Sequence, residues 1–412
     1  MNFALLGDHP DGLDMARTLV ASGRHALAAY CGPAVGAEFL RRWGISFQAV
    51  DDMEEVLADP RVEAVVVAGR LDERPGQLRR ALQSERHVLC VHPADQTPDV
   101  AYEAAMIQGD TRCVLMPLLP EALHPGIGRL AELARDEAPL GAVRLIEMER
   151  SSPDAVVIHE DNAGGKASIP GWDVLRTLGG EIAEVSGFAA GEHLARNQPA
   201  LLGGSFESGV LFRAAFLPGQ HESTMRLAVI GSYATAELVF PRGWPGPAHL
   251  HWQDETGAEH AETIEEWSPW FPVVEAFEAA VATRKEAGES RAGRLSEPST
   301  HATPTLSLSW QSEIRALELD DAARRSVERR RVSALEYPEA NETVGFKGTM
   351  TLVGCGLIWA ILILLILARW FPWLGWVILP LLLFFLGLQV LRWFVPAPDE
   401  KESRPEADQS NK

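Results

Sequence analysis

The chain is poor in cysteine. Its four cysteines, Cys31, Cys90, Cys113 and Cys355, lie far apart, and no Cys-x-x-Cys pair occurs. That spacing argues against a disulfide framework or a thiolate zinc site and fits a reducing compartment. Positive charge is also scarce: 37 lysines and arginines face 57 acidic residues, a formal charge of −20. A surface of that sign repels phosphate, so no nucleic acid partner is expected. An apolar leader is missing too. Met1-Asn2 runs into the short stretch Phe3-Ala4-Leu5-Leu6 and then into turn residues. Without a longer apolar region, the bulk of the chain is expected to stay in the cytoplasm.

Charge is absent altogether from two runs near the end. Thr351–Ala368 reads TLVGCGLIWAILILLILA, and a second uncharged run covers Trp370–Leu391. At 1.5 Å per residue the first spans about 27 Å, close to the roughly 30 Å hydrocarbon core of a bilayer. Pro372 and Gly375 mark a turn between the runs. Trp370, Trp373 and Trp376 suit one headgroup layer, and Arg392 and Trp393 the opposite one. Residues 349–394 are therefore expected to form two C-terminal transmembrane helices in the inner membrane. A buried helical hairpin of a soluble fold is the other reading. Arg324, Arg325, Arg329, Arg330, Arg331 and Lys347 precede the hairpin, Lys401 and Arg404 follow it, and the turn carries only Arg369. The positive-inside rule then puts both termini in the cytoplasm. Neither span holds an ionisable residue, so an anchor in the lipid bilayer is expected rather than a transport path. Residues 336–348 read as a linker and 395–412 as a disordered cytoplasmic tail.

Residues 1–120 alternate short apolar runs with helical patterns. Strands are expected at Phe3–Leu6, Ala26–Tyr30, Ala64–Ala68, His87–Val91 and Val114–Met116, the last ending before Pro117. Helices are expected after Gly12 and at Ala37–Trp43, Met53–Leu57, Pro75–Ser84 and Asp99–Gln108. Strand–helix alternation predicts an α/β, Rossmann-like, doubly wound parallel sheet. In such a sheet the first strand–turn–helix would hold a pyrophosphate through a Gly-x-Gly-x-x-Gly pattern. Here the turn reads Gly7-Asp8-His9-Pro10-Asp11-Gly12, with His9 as the middle glycine's replacement. A side chain enters where phosphate would approach, and Pro10 removes one backbone donor. The second strand ends Ala29-Tyr30-Cys31-Gly32, with no acidic residue for a ribose hydroxyl. The turn reads either as an altered nucleotide site or as a scaffold that binds nothing tightly.

Two segments carry a family resemblance: Asp59-Pro60-Arg61-Val62-Glu63-Ala64-Val65-Val66-Val67-Ala68, and Ala81-Leu82-Gln83-Ser84-Glu85-Arg86-His87-Val88-Leu89-Cys90-Val91-His92-Pro93. With Gly164-Gly165, Trp172–Arg176, Ile230–Leu238 and Trp310–Val332, the chain over residues 1–335 resembles the glucose–fructose oxidoreductase/inositol dehydrogenase (Gfo/Idh/MocA) family. The resemblance implies NAD or NADP as cofactor and hydride transfer at a sugar or cyclitol carbon. It implies cofactor contacts at Gly7, His9, Gly12 and Pro93. The family's Glu-Lys-Pro triplet is Val91-His92-Pro93 here, so His92 takes the position of the substrate-contacting lysine. Alignment on Asp173 and Arg176 places Lys166 at the family's aspartate and Pro170 at its histidine. His92, Lys166 and Asp173 are then the candidate catalytic residues. His159, Glu160 and Asp161 could replace lost groups or form a solvated loop.

Residues 121–335 carry β-type runs at Val143–Met148, Val210–Phe216, Met225–Ile230 and Ala236–Phe240. The resemblance makes this an α+β domain with an open, mostly antiparallel sheet, and implies a homo-oligomer through the sheet's outer face. Trp172–Leu178, Glu275–Glu289 and Ser309–Arg331 read as helices, and Arg324–Arg331 as a basic helix end that is solvated or touches anionic headgroups. His249-x-His251 would share a strand face, but no third ligand stands nearby, so no metal is expected. Two functions stay open: an oxidoreductase active on a sugar-like ligand, or a catalytically degenerate, membrane-tethered binding or scaffold module.

Overall fold

The protein is described by a computed structural model, over residues 1–111, 113–135, 137–152, 157–158, 167–195, 198–219, 222–291, 308–330 and 333–334. The first layer runs β1 (Asn2–Leu6), α1 (Pro10–Ala21), β2 (Ala26–Cys31), α2 (Ala34–Arg42), β3 (Gln48–Ala49), α3 (Met53–Ala58), β4 (Ala64–Val67), α4 (Arg74–Gln83), β5 (His87–Val91), α5 (Pro98–Asp110) and β6 (Leu115–Leu118). The six strands pair in parallel in the order β3-β2-β1-β4-β5-β6. All four side chains of β4 are buried, because helices cover both faces of a parallel sheet and neither face can be polar. Strand order reverses between β1 and β4, which opens a crevice at their carboxyl ends.

Strand β6 corrects one expectation. It does not stop before Pro117 but runs through it, with Pro117 opposite Cys90. As the edge strand of the sheet, β6 has an outer side with no ladder for the missing N–H to break.

The chain continues through α6 (Pro125–Arg135), α7 (Glu137–Leu140), β7 (Leu145–Ser152), β8 (Val157–Ile158), β9 (Ala167–Ser168), α8 (Trp172–Gly179), β10 (Ile182–Ala189), β11 (Ala200–Phe206), β12 (Leu211–Pro218), β13 (Thr224–Ile230), β14 (Thr235–Phe240), β15 (Ala248–Gln253), β16 (Glu259–Ile264), α9 (Trp270–Arg291), α10 (Trp310–Arg329) and β17 (Ser333–Ala334). Nine strands form a mixed sheet in the order β16-β15-β14-β13-β7-β12-β11-β10-β17. Its pairs are antiparallel except β7–β12, which is parallel. Leu202, Phe212, Leu227 and Leu238 pack inward against α6, α8 and α10. On the other face Phe188 and Leu201 stand exposed and directly opposed. The hairpin β15–β16 lies in the stretch rich in Trp, Pro and His. It alternates buried Ala248 and Leu250 with exposed His249 and His251. Asp254 closes its turn by accepting from the Thr256 and Ala258 N–H groups at 2.9 and 3.0 Å.

The last two helices return to the first sheet. Trp270, Val273, Val274 and Phe277 of α9 join the cluster on one face, and Trp310, Ile314 and Leu317 of α10 join the cluster on the other. The opposite side of α10, with Leu319, Ala322 and Ala323, enters the core of the mixed sheet. α10 is thus buried nearly all round, polar residues included. That corrects the expected basic helix end in part. Arg325, Arg329 and Arg330 are exposed, but Arg324 is buried and donates to the Gln96 carbonyl at 3.2 Å. Among the described residues no helix is long and apolar enough to cross a membrane. The expected hairpin at 349–394 lies outside the described residues.

Candidate functional site

The β1–α1 turn is built around two glycines. Gly7 has φ +98°, and a Cβ there would lie 2.2 Å from the Ala68 carbonyl oxygen. A Cβ on Gly12 would lie 2.2 Å from the Ala68 Cβ. Only hydrogen is tolerated at either position, so α1 starts tight against the end of β4. Between them, the His9 N–H donates to the Ala68 carbonyl at 3.0 Å. The His9 imidazole caps α1, its Nδ1 accepting from the Asp11 N–H at 3.3 Å. Pro10, the first helical residue, has no N–H to give. Beside this turn, the buried Tyr30 donates its hydroxyl to the Pro33 carbonyl at 2.8 Å. A Cβ on Gly36 would lie 2.2 Å from that hydroxyl and 2.7 Å from the Asp8 Cβ. The start of α2 therefore closes directly on the turn.

A dinucleotide would place its pyrophosphate at this helix N-terminus and a ribose against the end of β2. Three features of this turn depart from one that holds such a group. The amides of His9 and Asp11 are already engaged, Pro10 offers none, and the Asp11 carboxyl adds a like charge. Gly7 and Gly12 keep the backbone frame of such a turn, and the amides of His9 and Asp11 are used within the chain.

The next wall comes from β5. Its end carries His92 and Pro93, joined by a cis peptide bond. His92 Nδ1 lies 2.8 Å from Oε2 of Glu313, a fully buried α10 residue whose Oε1 accepts from the Ala94 N–H at 2.7 Å. Burial opposes a charge on His92. The Glu313 carboxylate, its hydrogen bond, and Asp320 and Asp173 outweigh it, and the imidazole pKa lies above its usual value. Behind this pair Arg74, 1% exposed, donates to the carbonyls of Gly69 and Pro93, each at 2.8 Å.

The second domain supplies the remaining wall. Glu121, in a short 3-10 turn, pairs with Arg150, whose Nη1 lies 2.9 Å from both carboxylate oxygens. Asp173, in the first turn of α8, is 4% exposed and accepts from the Ala122 N–H at 3.0 Å. Burial, then the Glu121 charge, push its pKa up to about 7 against the pull of that hydrogen bond and of His92. Asp320 of α10 accepts from the Ile169 N–H at 3.0 Å and the Trp172 indole at 2.8 Å, and burial raises it as well.

These groups surround a cavity of about 130 Å³. Asp11, His92, Glu121 and Asp173 line it, together with Pro170 and the indoles of Trp172, Trp244 and Trp270. The cavity brings together two of the three candidate catalytic residues, His92 and Asp173. Lys166, with His159, Glu160 and Asp161, lies outside the described residues. Gly7 and Gly12 shape the turn, His9 caps the helix, and Pro93 offers its carbonyl to Arg74. Sequence reasoning missed Asp11, Glu121, Glu313 and Asp320. Asp11 carries a first-turn signal beside His9; the others are single acids in polar surroundings, with no motif to mark them. His249 and His251 sit on the exposed face of β15, and no cluster of three metal-binding side chains occurs among the described residues. Chemically, an imidazole biased toward its charged form and a carboxyl titrating near neutrality share one small cavity. Together they can hold a ligand hydroxyl and exchange a proton with it.

No protein-family model matches the chain, and no curated protein matches it in sequence. Solved structures do. A levoglucosan dehydrogenase in complex with NADH and L-sorbose matches with TM-score 0.64 at 13% identity, over 82% of this chain and 99% of that one. A UDP-N-acetylglucosamine 3-dehydrogenase from Acidithiobacillus ferrooxidans matches with TM-score 0.61 at 18% identity, over 80% and 98%. A putative myo-inositol dehydrogenase from Sinorhizobium meliloti 1021 matches with TM-score 0.57 at 18% identity, over 82% and 100%. At these identities the likeness is one of fold: the chain has the two-layer architecture of sugar and cyclitol dehydrogenases.

Proposed function

We propose that this chain is a membrane-tethered, degenerate relative of those dehydrogenases that binds a small sugar-like ligand without a firm hold on a dinucleotide. The observation that carries this reading is the first turn of α1, where the His9 and Asp11 amides are occupied and Pro10 has none. Helix N-termini bind anions through free N–H groups, and a carboxylate at the same place repels them. NADH and NADPH should therefore give no saturable nicotinamide fluorescence change with the full chain below about 1 mM, whereas gripped cofactors bind roughly a thousandfold more tightly, a difference of about 4 kcal/mol. Saturation in the micromolar range contradicts the reading.

A second reading, an active NAD- or NADP-dependent oxidoreductase, is favoured by one observation. His92 and Asp173 together offer the acid/base chemistry that Pro170 cannot. In that case the cofactor would supply the hydride chemistry, and His92 and Asp173 would orient and deprotonate a ligand hydroxyl.

The tether rests on the two uncharged runs of residues 349–394. With it, the body and both termini lie on the cytoplasmic side of the inner membrane. Deleting 349–394 should move the protein from the membrane pellet to the supernatant. A deletion variant that still pellets with membranes contradicts the tether.

A further inference from the structure

Successive residues at the end of β5 are held by two buried side chains. Glu313 of α10 takes the His92 imidazole at Nδ1 with one carboxylate oxygen, at 2.8 Å, and the Ala94 N–H with the other, at 2.7 Å. Arg74 of α4 donates to the Pro93 carbonyl between them, at 2.8 Å. Glu313 is 0% exposed and Arg74 1%. Ring and backbone are clamped as one unit, and the ring cannot turn without breaking a buried hydrogen bond. His92 nonetheless lines the cavity, with 15% of its side chain exposed. Nδ1 faces α10, so Nε2 is the ring nitrogen left for the cavity, and among the described residues no hydrogen bond reaches it.

Two other imidazoles show what a different partner does. His87 Nδ1 accepts from the Val114 N–H at 3.0 Å, and His124 Nδ1 from the Gly126 N–H at 3.1 Å. An amide N–H can only donate, so in both rings the proton sits on Nε2, and burial lowers the pKa of both. A carboxylate can only accept. Opposite Glu313, Nδ1 carries the hydrogen, and the proton the ring exchanges belongs to Nε2. The charges around His92 favour keeping that proton. Glu313 and Asp320 act on it from α10, Asp173 from α8 and Asp11 from α1. Arg74 of α4 stands behind, against Glu313 and Asp11.

We infer that Glu313 is a positioning residue for His92, fixing a charged imidazole by its Nδ1–H so that Nε2–H points into the cavity as a donor to a ligand oxygen. The ligand oxygen rests on the reading of the cavity as a sugar-like ligand site; the placement of the ring does not. The same geometry makes Nε2 the atom through which the ring gives up its proton, leaving a neutral imidazole whose Nδ1–H stays on Glu313.

Nitrogen NMR of the full-length protein in detergent, isotope-labelled at histidine and titrated with pH, tests the inference. His92→Gln identifies the His92 signals by their loss. The His92 midpoint should lie above the ordinary 6.5. Below it both ring nitrogens should be protonated, and as pH rises only Nε2 should lose its proton. His87 and His124 should be neutral over the same range, with the proton on Nε2. Glu313→Gln should lower the His92 midpoint by about one pH unit or more, a tenfold loss of proton affinity. Asp173→Asn removes a weaker attraction and should lower it less. A Glu313 that served packing alone would lower the melting temperature when replaced and leave the midpoint where it is. Should Glu313→Gln not fold, the wild-type titration decides. A wild-type midpoint below 6.5, a proton lost from Nδ1 first, or a midpoint unmoved in folded Glu313→Gln overturns the inference and leaves the ligand-site reading standing. Micromolar binding of NADH overturns the proposed function and leaves the placement of His92 standing.

Discussion

Replacing Glu313 by alanine is expected to lower the thermal midpoint by on the order of 10 °C. Glu313 is fully buried and answers two donors, His92 and the Ala94 N–H, at 2.8 and 2.7 Å. Alanine would leave the buried Ala94 N–H and the part-buried His92 imidazole without this acceptor, and would strip a negative charge from beside Arg74. Removing one partner of a buried pair costs about 3–5 kcal/mol, and each kcal/mol shifts the midpoint of a domain this size by roughly 2–4 °C. Glu313→Gln keeps one acceptor oxygen and should fall between wild type and alanine. Calorimetry or circular dichroism melts decide it: a fall of less than about 2 °C for alanine would mean that Glu313 does not hold the two domains' facing walls together.

Stability should also decline between pH 5.5 and pH 8. Asp173 is raised from the usual 3.8 to about 7, so the folded protein holds that proton more tightly than the unfolded chain does. Between those two values the folded state binds more protons, and stability falls as pH rises. From a folded value near 7, the loss between pH 5.5 and pH 8 is about 2 kcal/mol for this group alone. His92 acts in the same direction. Its raised pKa contributes stability that is fully present below its ordinary 6.5 and disappears as pH rises through the folded value. Carboxylates lowered by surface arginines, such as Glu54 beside Arg80, oppose this trend only in more acidic solution, below the ordinary carboxylate range. Urea unfolding at the two pH values should show the difference, and Asp173→Asn should remove most of it. Equal slopes in wild type and variant would mean that Asp173 is ionised in the folded protein at both pH values.

The parallel sheet was legible because its strands declare themselves locally. Ala64–Val67 is apolar on both faces, and such a run has few homes outside a covered parallel sheet. β10 and β11 were harder to see. Gly187, Gly203 and Gly204 dilute their alternation, and β-propensity depends on cross-strand neighbours that a linear sequence does not reveal. In the site, His92 stood out by its place beside Pro93. Glu313 and Asp320 did not, since acids on a helix of low apolarity read as its solvent face. What buries them is the packing of α10 between two cores, a tertiary fact. The same packing turned Arg324 inward. The departures at His9 and Pro10 were visible in sequence, but not their consequence, that the imidazole itself caps the helix and occupies the Asp11 amide.

That cap is the hinge of the functional reading, and a paired dinucleotide titration tests it most directly. NADH would be titrated, with nicotinamide fluorescence as readout, into the full chain and into a His9→Gly, Pro10→Ala variant that frees the Asp11 amide and restores the missing one. The account predicts no saturation for wild type up to about 1 mM, and measurable binding by the variant, as free amides at a helix N-terminus attract phosphate. Micromolar saturation of the wild-type chain would contradict it and return the protein to the cofactor-binding dehydrogenases whose fold it shares.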